Sequence, residues 1–295
     1  MSAAISPATQ RSYGVQRVCR VWAVPRSTFY HRRPAGTAPA KPRGPRPPVD
    51  DAGLLAAIRA DLAASPFSGE GHRKVWARLR YGLGLPVGRN RVLRLMRAHQ
   101  LLSPYRRPRP ANDHEGTVLT DAPDVMWGTD ATLVQTAEDG RVWIFAAVDH
   151  FNSEVVGHYV STDGSRFSAL EPISQAVAAR FGGSGADAAR GVTLRLDNGP
   201  QYIARHFTHQ IGHWGISLSY SFPHQPECNG VIERFFRTLK EQAVWGRTFR
   251  TAGEVKAAAA AFIERYNTSW RLERLGYCSP HDYRNRHLSR QKAAA

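Results

Sequence analysis

The chain has 295 residues, 42% hydrophobic and 10% aromatic, enough apolar material for one large domain or two smaller ones. Its formal net charge is +16, with 40 Lys and Arg against 24 Asp and Glu, so a polyanion, usually a nucleic acid, is the expected partner. Three cysteines far apart and without CxxC spacing argue against a disulfide framework or a cysteine zinc site, and the absence of a signal-type apolar core or a run approaching about 18 apolar residues predicts a cytoplasmic protein with no membrane partner.

Residues 12–33 place Val15, Val18, Cys19 and Trp22 at helical spacing. Pro25 interrupts, and Arg26-Ser27-Thr28 starts a second short helix, which predicts a helix-turn-helix-like segment over 1–34. Residues 35–49 read as a basic, Pro-rich linker. A helix is predicted over 50–64, capped by Asp50 or Asp51, with Leu54, Leu55, Ile58 and Leu62 as its stripe. After the turn SPFSGEG, a second helix over 72–84 turns Val75, Trp76 and Leu79 inward and its cations outward. A third, over 89–102, buries Val92, Leu95 and Met96 and exposes Arg89, Arg91, Arg94 and Arg97. Two basic helices around a Gly/Pro turn predict a helical DNA-binding domain over 50–102, with Arg73, Lys74, Arg78, Arg89, Arg91 and Arg94 toward DNA. A second basic linker over 103–117 adds Arg106 and Arg107. Residues 1–112 carry 21 Lys and Arg against 4 Asp and Glu, whereas 113–295 carry 19 against 20. The first third therefore reads as the phosphate-binding part and the rest as a near-neutral body holding a local acidic site.

From 125 the pattern changes. VMWGTDATLVQT, RVWIFAAVDH and EVVGHYVS are successive strands, the first two joined by Glu138-Asp139-Gly140, a hairpin signal. A helix over 166–181 ends at Gly182-Gly183, and VTLRLD at 192–197 is a buried strand. A helix over 202–215, the strand ISLSYS and helices over 231–245 and 251–267 follow. The order β-β-β-α-β-α-β-α-α predicts an α/β fold: a ribonuclease H-like mixed five-stranded sheet with flanking helices, preceded by an all-α helix-turn-helix DNA-binding region. The catalytic domain is expected over 118–286, with a tail at 287–295.

Three acids occupy contexts that fit one site. Asp130 lies mid-strand between apolar Trp127 and Leu133, a costly place unless it is paired or binds metal. Asp197 ends an apolar strand before Asn-Gly, at the rim where such sheets bind ligands, although turn chemistry alone also places an Asp there. Glu233 opens a helix, where it also complements the dipole. Arg237 and Lys240 share its helix side, which suits a DNA end, while Ile232, Phe235, Phe236 and Leu239 turn inward. Glu227 and Glu241 are weaker candidates for the third acid. Hard oxygen ligands in this arrangement suit a pair of Mg²⁺ ions that clamps a phosphodiester. Asp149 reads as a turn residue or a neighbour of the site, His206, His209 and His213 as surface or DNA-facing residues, and Trp127, Trp143, Trp214 and Trp245 as core.

The stretches GEGHRKVWARLR, GRNRVLRLMRAHQLL, WGTDAT, VDHFNSEVVGH, LDNGPQY, HQPECNGVIERFFRTLKE and YNTSWRLERLGYCSP run from about 69 to 282. In order and spacing they resemble the transposases of bacterial insertion sequences with an Asp-Asp-Glu core, akin to retroviral integrases, and most of all the second-frame proteins of two-frame elements. The resemblance implies a DDE-type polynucleotidyl transferase with Asp130, Asp197 and Glu233 as catalytic, metal-binding triad and two Mg²⁺ or Mn²⁺ ions per site. It implies strand cleavage by water, then attack of a 3′-hydroxyl on target DNA, with Lys240 touching DNA. The implied partners are the element's terminal inverted repeats and target duplex, further copies of the chain on paired ends, and an upstream-frame fusion partner; the implied location is the bacterial nucleoid. This chain departs from the pattern at Glu154, where the family often has Arg, at Leu196, often a small polar residue, and over Glu227–Gly230. A decayed or repurposed DNA-binding copy is the alternative expectation.

Overall fold

In the computed structural model of the protein, residues 3–31, 48–103, 118, 120–221 and 230–294 are described. The linker cations Arg106 and Arg107 and the competing acid Glu227 lie outside them. The chain divides into two units, 1–47 and 48–295. In the first, α1 (Gly14–Val21) and α2 (Arg26–His31) form a short helical pair. The expected apolar stripe of α1 is only partly covered: Cys19 is buried and Val15 and Val18 are half-buried, but Trp22, just past the helix end, is 60% exposed.

The second unit begins with three helices around their own core. α3 (Asp51–Ala64) is capped by Asp50, whose carboxylate accepts from the Gly53 N–H at 2.8 Å. α4 (His72–Ala77) and α5 (Arg89–Ala98) complete the layer, and Leu54, Ile58, Val75, Leu79, Val92, Leu95 and Met96 are buried between them. The second helix departs from its expected span. It is α-helical only to Ala77 and continues as a π-helical turn over Arg78–Gly82, with the Leu83 N–H bonded to the Arg78 carbonyl.

The sheet contains β1 (Met126–Gln135), β2 (Arg141–Asp149), β3 (Val155–Ser161), β4 (Thr193–Leu196) and β5 (Ser217–Tyr220), in the order β3-β2-β1-β4-β5. β1, β2 and β3 are antiparallel, and β1, β4 and β5 run parallel. The β1–β2 hairpin turns at Gly140 with φ +67°, a left-handed conformation that glycine adopts without strain. Side-chain alternation divides the sheet between two cores. On one face, Trp127, Phe145 and Ala147 pack with α6 (Arg166–Phe181), α7 (Pro200–Ile203) and α8 (Arg205–His213). Gly157 of β3 lets α6 approach closely: a Cβ there would stand 1.9 Å from the Pro172 carbonyl oxygen. On the other face, Val134, Val142, Ile144 and Val148 pack with α9 (Gly230–Leu239) and α10 (Ala252–Ser269).

The helix expected over 202–215 is broken at Ala204, whose extended backbone separates α7 from α8. That expected over 231–245 is α-helical to Leu239 and then makes a π-helical turn over Lys240–Val244. The C-terminal α11 (Pro280–Ala294) has no clear apolar period, and sequence patterning did not reveal it. Polar bonds hold it. Arg284 donates to Asp124 at 2.5 Å, and Asn152 donates to the Pro280 carbonyl at 2.9 Å. Asp149 belongs to this network: it accepts from the backbone N–H groups of Asp124 and Phe151, both at 2.8 Å.

The helical layer docks on the α9–α10 face. Phe67, in the turn between α3 and α4, packs edge-on against Trp270 and Phe262 with centroids 4.7 and 6.4 Å away. Ser68 and Gln242 exchange two bonds, backbone N–H to side-chain oxygen at 2.9 Å and side-chain NH₂ to backbone carbonyl at 2.7 Å.

Candidate active site

Strand parity aims Asp130 at α9. Residues 130 and 134 of β1 lie on the same side, and Val134 belongs to the core packed by α9 and α10. Parallel pairing then brings in Asp197. Gly128 of β1 stands opposite Arg195 of β4, and each acid lies two residues beyond its member of that pair. Continuing that register, Asp130 within β1 and Asp197, the first residue after β4, come to about one level of the sheet. Glu233 comes from the first turn of α9, which packs its Ile232, Phe235, Phe236 and Leu239 face into the same core and leaves Glu233 exposed.

Asp130 and Glu233 line one open pocket with Ala131, Thr132, Phe236, Arg237, Lys240 and Trp245. Asp197 stands outside that wall, exposed, its Oδ1 accepting from the Gly199 N–H at 2.9 Å in the turn its Asn-Gly sequence foretells. It is nevertheless close enough to act on Asp130. Burial, then the negative charges of Asp197 and Glu233, push the Asp130 carboxyl up to about 6 from 3.8. The Ala131 N–H, donated at 2.7 Å, and the Lys240 ammonium oppose the rise without cancelling it. Tyr202, fully buried behind β1, has its phenol raised well above 10 by burial and by the same two aspartates. Among the described residues no three of His, Cys, Asp and Glu stand close enough to enclose one ion. Asp197 and Glu233 each repel Asp130.

Glu241 is no rival as third acid: it is buried two turns on, its Oε1 accepting from the Arg237 Nε at 2.8 Å. Two of the departures from the family pattern have structural roles, and Glu227, Cys228 and Asn229 of the third lie outside the described residues. Glu154 is buried and bound by Arg180 at 2.8 Å, and Leu196 is fully buried beneath the site. One expectation is corrected. Trp127 and Trp214 are core, but Trp245 is 50% exposed on the pocket wall.

The cations assigned to DNA are distributed differently. Arg78 is not outward. Its guanidinium makes a bidentate pair with Asp61, at 2.8 and 2.7 Å, and donates to buried Glu70 at 2.6 Å. Arg91 and Arg94 both bind Asp51, at 2.8 and 2.6 Å. Arg73 and Arg89 both bind Glu273, and Lys74 lies over the Trp270 ring.

Residues 120–226 and 214–280 each match a family described as an integrase core domain, and residues 49–109 match an HTH-like domain. The chain belongs to the integrase-core transposases of insertion sequences. It is 27% identical to the transposase of insertion sequence element IS629 from Shigella sonnei, over 92% of this chain and 91% of that one. It is 25% identical to the putative transposase InsK of IS150 from Escherichia coli, over 92% and 94%. A solved catalytic core domain of BIV integrase is 20% identical and aligns with a TM-score of 0.42 over 57% of this chain and 99% of that one. Family members are polynucleotidyl transferases, and the strand order and flanking helices of this transposase form the mixed sheet of the ribonuclease H-like class. No helix among its described residues is long and apolar enough to cross a membrane.

Proposed function

We propose that this transposase cuts DNA at the ends of its own insertion sequence and joins the freed strand to target DNA, with Asp130, Asp197 and Glu233 as catalytic carboxylates. The observation that carries the reading is the pocket that Asp130 and Glu233 line together with Arg237 and Lys240; burial, then the charges of Asp197 and Glu233, raise the Asp130 carboxyl there, a cost that a bound cation would balance. The donors are all carboxylate oxygens, the chemistry that suits Mg²⁺ or Mn²⁺. Asp130 and Asp197 would hold one ion between them, and Glu233 with Asp130 a second. When bound, such ions neutralise a phosphodiester's charge and lower the pKa of an attacking water or hydroxyl.

The chain's own residues do the rest by positioning. β1 holds Asp130, and Asp197 opens the turn directly after β4, which pairs with β1, so the sheet brings the two carboxylates near one level. α9 and the π turn that follows it present Glu233, Arg237 and Lys240 along the pocket, where the cations would draw in phosphate oxygens. The partner is duplex DNA: the terminal inverted repeats first, then the target. The 48–103 layer would bind the repeats, and more than one copy would assemble on paired ends.

The test is cleavage of labelled duplexes carrying the inverted repeats that flank the gene, with Mg²⁺ and with EDTA. Metal-dependent nicking at the repeat terminus, lost in Glu233→Gln, is the expected result. Binding without nicking, with or without an upstream-frame partner, would leave a DNA-binding protein and defeat the reading.

A further inference from the structure

The half-exposed Trp245 owes its position to a local change of helix type. In an α-helix, residues five apart point about 140° away from one another. Over Lys240–Val244 the helix becomes a π turn, and the Trp245 N–H donates to the Lys240 carbonyl at 2.7 Å. Closing i to i+5 brings residues five apart onto nearly the same side. The indole thus joins Lys240 on the wall that also carries Asp130 and Glu233, with buried Phe236 behind them. An uninterrupted α-helix would turn the ring away from that pocket.

We propose that Trp245 is a base-stacking platform, which receives the unpaired nucleobase next to the phosphodiester being cut while Lys240 and Arg237 hold the backbone. This rests on the reading of the site as one that acts on DNA ends. The chemistry of the wall supports it. Cations fix phosphates but leave the strand free to slide, whereas a ring plane sets the register of one nucleotide against the carboxylates. Every base has a π face, so such a contact tolerates any sequence. A terminal base is also the least costly to unstack from its neighbour. About half of the indole is exposed on the wall that carries the two carboxylates and two cations.

The probe is the flanking inverted-repeat duplex with 2-aminopurine placed in turn at each of the last three bases of the cleaved strand. Fluorescence is read in EDTA, where binding alone is scored, and nicking is read in Mg²⁺. The expected result is quenching at one position by the wild-type protein, relieved in Trp245→Ala and retained in Trp245→Phe. Nicking by Trp245→Ala should be slower by about tenfold or more, the size of one lost base stack, with most of the rate kept by the phenylalanine variant. Equal quenching by wild type and Trp245→Ala, no quenching by wild type at any position, or a phenylalanine variant as poor as alanine would overturn the proposal. Wild-type quenching without nicking of any duplex would sink the catalytic reading and leave the stacking contact standing.

Discussion

The helical layer at 48–103 and the α9 face of the catalytic body use charge in opposite ways. The layer lies in the strongly basic part of the chain, yet its best-placed cations serve the fold. Arg78 closes on Asp61 and Glu70, Arg91 and Arg94 on Asp51, and Arg73 and Arg89 on Glu273. The body is nearly neutral by count, yet it gathers Lys240 and the Glu241-paired Arg237 on one pocket wall with Asp130, whose carboxyl is raised by burial and by Asp197 and Glu233. Charge counted along the sequence finds the polyanion-binding protein, while pairing in space decides which charges are left for the polyanion. Glu273 adds a link between the regions as a partner to two cations of the layer.

The comparison can be broken most sharply at the acids. Asp130→Asn and Glu233→Gln should each lower nicking by more than about a hundredfold, with affinity for the repeat duplex changed less than about twofold. A parallel loss of affinity would mean that the acids support the fold and not the chemistry. The next largest effect belongs to the layer. Arg78→Ala leaves Glu70, whose side chain is 1% exposed, without its closest guanidinium partner, and should destabilise the protein by about 3 kcal/mol in urea denaturation.

The third test is pH. The folded Asp130 carboxyl titrates at about 6 and the unfolded one near 3.8, so its stabilising contribution is complete below about pH 4 and lost as pH rises through 6. Relative to Asp130→Asn, the metal-free wild type should gain about 2 kcal/mol of stability between pH 7.5 and 4.5. Mg²⁺ should remove most of that difference, and a pH-independent gap would show that neither burial nor the neighbouring acids raise the Asp130 carboxyl. The smallest effect is expected at Arg94, which is exposed and paired with Asp51. Arg94→Ala should change stability by less than about 1 kcal/mol, and its effect on the salt dependence of DNA binding measures what that cation gives to phosphate.

Much of the fold and two of the three acids were legible because their signals are local. Alternation along 126–135 marks β1 and the side to which Asp130 points, and the 3.6-residue period of 230–239 separates Glu233 from the buried Phe235 and Phe236. The Asp-Gly hairpin and the glycine end of α6 are equally local. Asp197 was half legible: its turn chemistry is written in Asn-Gly, but its level beside Asp130 comes from the pairing of β4 with β1 across the whole of β2, β3 and α6. The two π turns, the break at Ala204 and α11 were not legible, since each is set by tertiary contacts or a backbone bond choice rather than by an apolar period.

Composition, the order of the strands and of most helices, and the elements that carry Asp130 and Glu233 were thus determined by the sequence by itself, because each depends on residues within a few positions of one another. Which arginines remain for DNA, whether Asp130 is crowded, and where Trp245 presents its ring were decided only by the tertiary structure. Those properties depend on residues up to about 200 positions apart, such as Arg73 with Glu273, and on one hydrogen bond shifted from the fourth to the fifth residue at the end of α9.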